Sequence, residues 1–277
     1  MKILISGHNG FIAGHLINFL KIEHEIFTIS RQKNKDNAIL NNYAIDLSNV
    51  KLVKEKLAES FINEKMDIII HCAAVITPEN NKDISIFHEN NSITESMIYI
   101  AETLNPDKFI NLSTIGVYPN KSGIYKENSV IGPSSNHECL YSLSKFCSEE
   151  LFEFYLKNKM QVVNLRLAQV FGTGMRQDRI FSIMKDELKR KNTITVFGNG
   201  ERTSNFIAID YLIDKIIEVI ESIKVKGIFN LGQNNISYTE LAEMIIKENG
   251  DTSSKIIINK NGVKSKVIID SSKIAKL

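Results

Sequence analysis

Residues Lys2 to Ser6 form an apolar run that ends on Gly7, and Gly7-His8-Asn9-Gly10-Phe11-Ile12-Ala13-Gly14 opens a stretch with apolar residues at helical spacing. A strand that turns through glycines straight into a helix constrains the fold more than any other feature of this chain. Gly7 permits the sharp turn, and Gly10 lets backbone approach a ligand closely. The helix that follows presents free N–H groups and the positive end of its dipole. Ala13, helped by Gly14, is the small residue that helix and strand need where they pack. The turn reads as a cradle for the pyrophosphate of a dinucleotide.

The rest of the first half continues that theme. β-Branched runs alternate with amphipathic stretches, the pattern of parallel strands joined by crossover helices. Strands are expected at Lys2 to Ser6, Glu25 to Ser30, Asp67 to Cys72, Lys108 to Ser113 and Gln161 to Leu167, with helices near Phe11 to Lys21, Val50 to Ile62, Ile84 to Leu104 and Tyr141 to Lys157. Ile68 to Ile70 and Phe109 to Leu112 are apolar on both faces, as when helices cover both sides of a sheet. The expected class is α/β, a Rossmann doubly wound parallel sheet over residues 1–170. After Gly172 the elements shorten: helices at Asp178 to Lys191, Asp210 to Ser222 and Thr239 to Glu248, strands at Thr193 to Phe197 and Gly227 to Leu231. Residues 171–277 read as a small α/β substrate-binding lobe with elements returning to the sheet. Asn34 to Asn42 reads as a polar loop.

Composition narrows the function classes. Hydrophobic residues at 43% and charged residues at 24% fit a globular enzyme and exclude a disordered or collagen-like chain. A net charge of +2, with Lys and Glu interleaved along the helices, argues against nucleic acid or an anionic membrane as main partner. Cys72, Cys139 and Cys147 lack metal-ligand spacing, and an odd count without a secretory leader argues against a disulfide framework. No metal, no membrane and a cytoplasmic, soluble protein are the expectations.

The end of the second strand usually carries an acid that hydrogen-bonds the adenosine ribose of NAD; here it reads Ile29-Ser30-Arg31. Guanidinium forks onto phosphate oxygens where a carboxylate would repel them, so NADP(H) is favoured, with NAD(H) open. Farther on, Tyr141 and Lys145 stand four residues apart, one turn along a helix face. A phenol with a free pKa of about 10 needs a nearby cation to work at neutral pH, and Lys145 is placed to supply it. The strand end Asn111-Leu112-Ser113-Thr114 offers a hydroxyl to a substrate carbonyl or developing alkoxide.

In these motifs, met in this order, the chain resembles the extended short-chain dehydrogenase/reductase family, which includes nucleotide-sugar epimerases, dehydratases and reductases. The matching residues are Gly7, Gly10 and Ala13, with Phe11 and Ile12 after the second glycine; Asp46-Leu47; His71-Cys72-Ala73-Ala74; Asn91; and Thr114 three residues before Val117-Tyr118. Tyr141/Lys145, Arg166 to Gly172 and Val196 to Phe206 complete the series. The resemblance implies Thr114, Tyr141 and Lys145 as the catalytic triad, with Tyr141 the general acid-base. It implies cofactor contacts from Gly7, Gly10, Phe11, Ile12, Ser30, Arg31, Asp46, Leu47, Cys72, Ala73, Ala74, Asn91, Ser113 and Ala168 besides Tyr141 and Lys145. It also implies a nucleotide-sugar substrate near Thr114, Gln169, Arg176 and Arg202, and a homodimer paired through the third and fourth helices, where Phe146, Leu151, Phe152 and Tyr155 serve core or interface.

Departures from the family pattern refine this. Its dehydratases carry an Asp-Glu pair after the threonine, where this chain has Ile115-Gly116. Ser204 and Asn205 stand where an arginine and an aspartate are common, leaving Arg202, Arg176 or Arg179 to hold a diphosphate. Cys139 lies two residues before Tyr141 and reads as a small buried hydrophobe. Three functions stay open: a reductase of a keto-sugar nucleotide that consumes NADPH, a 4-epimerase that retains NAD, and a non-catalytic NAD(P)-sensing protein.

Overall fold

The computed structural model describes residues 1–32, 41–59, 64–76, 83–134 and 138–277. Along the chain it forms β1 (Lys2–Ser6), α1 (Phe11–Leu20), β2 (Glu25–Ser30), β3 (Asn41–Ala44), α2 (Val50–Ala58), β4 (Ile68–His71), α3 (Ser85–Leu104) and β5 (Lys108–Thr114). Then come β6 (Gly123–Tyr125), α4 (Cys139–Leu156), β7 (Gln161–Leu167), β8 (Gln169–Phe171), α5 (Ile180–Lys191), β9 (Thr193–Phe197), β10 (Thr203–Ala208) and α6 (Ile209–Glu221). The chain ends with β11 (Gly227–Leu231), β12 (Asn234–Ser237), α7 (Tyr238–Asn249), β13 (Lys255–Asn259) and β14 (Val267–Ile269).

Seven parallel strands in the order β11-β7-β5-β4-β1-β2-β3 make the central sheet. Side chains alternate across it. Ile3 and Ile5 enter the core shared with α1 and α6, and Leu4 enters the one shared with α2, α3 and α4. Ile68, Ile69 and Ile70 are all buried, as their two-faced apolar run predicts. β11 comes from beyond residue 171 and pairs with β7, returning to the sheet. A separate core of Met184, Leu188, Val196, Phe206 and Leu241 packs α5 and α7 against β9 and β10 in the lobe.

A charge fixes α6 to the sheet. Lys108, buried at the start of β5, donates to the carbonyls of Ile220 at 3.0 Å and Ser222 at 2.6 Å. A cation at a helix C-terminus meets the orphan carbonyls and the negative end of the dipole together.

Two expected boundaries change. Asn41 and Asn42 belong not to a loop but to β3, where Asn42 pairs with Thr28; residues 34–40 lie outside the described residues. An edge strand needs only main-chain pairing on one side, so polar side chains serve there. α2 ends at Ala58, and Ile62 lies outside the described residues. Of the aromatic and apolar residues on α4, Phe152 is core while Phe154 and Tyr155 are exposed.

Candidate active site

Strand order reverses between β1 and β4, and their C-terminal ends border a cleft of about 1250 Å³ that runs to β8, β10 and α5. Gly7 leaves β1 with φ +74°, and a Cβ there would lie 2.8 Å from Cα of Ala73, so glycine is required. Gly10 is the N-cap of α1, brings no side chain, and no acid follows in the first turn. The N–H groups of that turn are left for an anion. Ala13 is buried as expected, whereas a Cβ on Gly14 would meet nothing within 4 Å. Gly14 gives the packing no help, because it faces open space.

Two polar residues hold the opposite turn. Ser6 Oγ accepts from the N–H groups of Cys72 at 3.1 Å and Ala73 at 3.2 Å, and lies 2.8 Å from Nδ1 of His71. Burial, then the charge of Lys145, holds His71 well below the usual imidazole range. Asn90 clamps Val75, accepting from its N–H at 2.8 Å and donating to its carbonyl at 2.9 Å. Asn91 does not line the cleft, and its Oδ1 is buried with no hydrogen-bond partner among the described residues. The signal for Ser6 is a small polar residue closing an otherwise apolar strand.

Ser30, Arg31, Asp46 and Leu47 line the cleft beside α1. Ser30 Oγ donates to the Gln32 carbonyl at 3.0 Å and lies 3.3 Å from Nε2 of His8. Asp46 accepts from the N–H and the hydroxyl of Ser48 at 3.0 and 2.8 Å. Arg31 is exposed, and among the described residues no carboxylate stands at the end of β2.

Across the cleft, Ser113 and Thr114 close β5. Thr114 Oγ1 accepts from the Gly116 N–H at 3.0 Å, which leaves its own proton to donate into the cleft. Tyr141, in the first turn of α4, and Lys145, one turn on, line the same space, as do Cys72, Ala73, Ala74 and Ala168. Lys145 is buried with Nζ 3.5 Å from Oδ1 of Asn111, whose amide donates to Asn164 at 2.8 Å. Asn111, the lysine's anchor, is a residue the sequence reading missed.

Burial pulls Lys145 down to about 8, against the pull of Cys72 and Glu149. Tyr141 is pushed up to about 12, by burial first and then by Glu138, with Arg179 acting the other way. Burial disfavours the phenolate and weakens the hold of Lys145 on its own charge. Cys72 is also pushed up to about 12 by burial, which makes it an inert apolar wall. Cys139 opens α4 half-buried and does not line the cleft.

At the lobe end, Gln169 donates to Ser204 Oγ at 2.9 Å and to the Tyr238 hydroxyl at 3.4 Å. The Arg202 guanidinium lies over the Tyr238 ring, 4.5 Å from its centre. Arg176 pairs with Asp178, and Arg179 with Glu138 at 2.7 Å. All of these line the cleft. The site thus has an anion cradle at one end, a hydroxyl, a phenol and an amine in the middle, and cations at the other. Among the described residues no group of three His, Cys, Asp or Glu is placed to hold a metal, and no helix is long and apolar enough to cross a membrane.

Residues 3–232 match the model of the NAD-dependent epimerase/dehydratase family. A dTDP-D-glucose 4,6-dehydratase of Dictyostelium discoideum is 29% identical over 88% of this chain, which spans 61% of that relative's length. A GDP-6-deoxy-D-talose 4-dehydrogenase of Aggregatibacter actinomycetemcomitans is 27% identical over 80% of this chain and 71% of its own. Among solved structures, the UDP-glucuronic acid 4-epimerase of Bacillus cereus, in complex with UDP-glucuronic acid and NAD, superposes with a TM-score of 0.79. It is 27% identical, and the match covers 100% of this chain and 92% of that one.

Proposed function

The chain belongs to the NAD-dependent epimerase/dehydratase family, and from that premise we propose that it is an NADP(H)-dependent reductase of a keto group on a nucleotide-linked sugar. One observation carries the reading: Thr114, Tyr141 and Lys145 face a single cleft whose other end is the uncapped N-terminus of α1. Residues 1–170 are the cofactor-binding domain and residues 171–277 the substrate lobe.

The cleft fits a dinucleotide, since Gly7, Gly10, Phe11 and Ile12 present backbone where a pyrophosphate needs it. When bound, the nicotinamide supplies a hydride to the sugar carbonyl. Thr114 donates a hydrogen bond to the carbonyl oxygen, and Tyr141 delivers the proton as charge builds there. A phenol held at about 12 keeps its proton through the working pH range, which suits a donor. Lys145, anchored by Asn111, would hold the cofactor ribose, and Arg202, stacked on Tyr238, would supply the cation for the diphosphate. Dehydration is disfavoured: Gly116 sits where a side chain would meet Ser142 Oγ at 2.5 Å, and Ile115 carries no acid. Exposed Tyr99 on α3 and Phe154 and Tyr155 on α4 are the surface through which a twin subunit would pair.

A retained-NAD 4-epimerase is the second reading, favoured by the Bacillus cereus epimerase solved with NAD. Cofactor accounting separates the two. Mixed with a panel of 4-keto and 4-hydroxy nucleotide sugars, a reductase consumes NADPH in step with product, whereas an epimerase interconverts sugars with no net change at 340 nm.

Arg31→Asp tests the cofactor assignment. Exchanging a charge-assisted hydrogen bond for a repelling carboxylate is expected to weaken NADPH about tenfold or more while leaving NADH within about twofold. Fluorescence titration of both coenzymes reads this directly, and equal losses remove Arg31 from the 2′-phosphate site.

A further inference from the structure

His8 sits inside the glycine turn that leaves β1, yet it takes no part in the cleft wall. Gly7, Asn9, Gly10 and Phe11 line that space, and His8 does not. It is 4% exposed. The Gly7 N–H donates to the Ile29 carbonyl at 2.9 Å, which seats the turn on the end of β2. His8 Nε2 then lies 3.3 Å from Oγ of Ser30, the last residue of that strand. Ser30 gives its one hydroxyl proton to the Gln32 carbonyl, 3.0 Å away. Only lone pairs remain on that oxygen, so Nε2 of His8 carries the proton and donates. Burial holds His8 below the usual imidazole range, against the backbone of Gln32, so the ring is neutral and Nδ1 bears the lone pair. Among the described residues Nδ1 is buried with no hydrogen-bond partner. A buried polar atom left unpaired costs about 1–3 kcal/mol, so stability alone does not account for a histidine at this position.

The hydrogen bonds from His8 to Ser30 and from Ser30 to Gln32 close around one residue, Arg31, which is exposed and lines the cleft. We propose that His8 is a positioning residue that determines coenzyme specificity: through Ser30 it fixes the turn at residues 30–32 against the glycine turn, and so sets where the Arg31 guanidinium meets a 2′-phosphate. The inference rests on the reading of Arg31 as the partner of that phosphate. A guanidinium forks onto phosphate oxygens only when its plane and distance are right, so its benefit depends on how firmly its backbone is held. The glycine turn cradles the pyrophosphate, and the 2′-phosphate stands at a fixed reach from it on the same molecule. Tying the two turns together fixes the spacing between the two anion contacts before the coenzyme arrives. Without the tie, Arg31 ranges over more positions and the loss falls on NADPH. NADH carries no 2′-phosphate and keeps its other contacts.

Fluorescence titration of coenzyme-free protein with NADPH and NADH tests this without a sugar substrate. His8→Leu removes the donor and keeps the bulk. It is expected to weaken NADPH about threefold to tenfold, the range of one lost hydrogen bond, and to leave NADH within about twofold. His8→Gln places an amide N–H near the position of Nε2 and should keep the wild-type preference, whereas His8→Asn, one bond shorter, should lose it. In an Arg31→Asp background, His8→Leu should lower the preference no further. Equal weakening of both coenzymes by His8→Leu would show a residue that only supports the turn and would overturn the proposal, as would an unchanged preference. Should His8→Leu not fold, His8→Asn decides on the same two outcomes. The two readings fail differently: lost preference in Arg31→Asp with none lost in His8→Leu overturns the role of His8 alone, while equal losses in Arg31→Asp overturn the 2′-phosphate reading and this inference with it.

Discussion

Tyr141→Phe is expected to lose at least about a hundredfold in turnover, the usual scale for removing a general acid, while binding coenzyme as well as the wild type. The phenol, whose proton is held up to about 12, lines the same cleft as the Thr114 hydroxyl. Phenylalanine keeps the ring's contacts and removes only the proton. No hydrogen bond fixes the phenol oxygen to the protein among the described residues, so its removal orphans no buried partner. Turnover with keto-sugar nucleotide, measured beside a coenzyme titration, gives both numbers. Undiminished turnover excludes the tyrosine from the chemistry. The pH dependence has a definite sign: reduction should stay flat on the phenol's account up to about pH 10, and the reverse oxidation, which needs the phenolate, should rise with pH across that range.

What the chain reveals before folding is what local periodicity encodes. β1, β2, β5 and β7 are apolar runs buried on both faces, and each falls where the pattern places it. The glycine turn is equally legible, because Gly7 must turn sharply against Ala73 whatever lies farther away. β3 is hidden by its two asparagines, since an edge strand needs no apolar face. β6, β8, β12 and β14 run only three or four residues, and each is stabilised by a partner distant in sequence, as Gly123 is by Val267. Short segments of that kind carry no period of their own.

The site divides the same way. Thr114, Tyr141 and Lys145 announce themselves by spacing and by the strand end before them. The contacts around them do not: Ser6 reaches across to Cys72, Asn111 to Lys145, and Glu138 to Arg179, all between residues far apart in sequence. Asn90 and Asn91 are neighbours with the same side chain, and only the helix phase decides which one faces Val75. Helical spacing shows that two groups share a face, but not how far burial will suppress their charges.

Glu149→Ala is expected to cost about 3–5 kcal/mol of stability, the scale for stranding a buried charge. Glu149 and Arg166 are 1% and 2% exposed and form a forked pair, with Nε at 3.1 Å and Nη2 at 2.7 Å from the carboxylate. Arg166 also donates through Nη1 to the Tyr118 hydroxyl at 2.8 Å and the Glu127 carbonyl at 3.1 Å, and Ser113 donates to Glu149. Without the carboxylate, a guanidinium that cannot shed its proton remains in the core. Replacing both partners with apolar residues, Glu149→Leu with Arg166→Met, should recover most of the loss, because no charge then needs solvation. Urea unfolding of the single and double variants measures this, and a single variant as stable as the wild type would show that water reaches the guanidinium. Ser113 and Tyr118 both line the cleft. The single variant should therefore also lose turnover at temperatures where it remains folded, since the charge pair holds Ser113 and Tyr118 in the cleft wall.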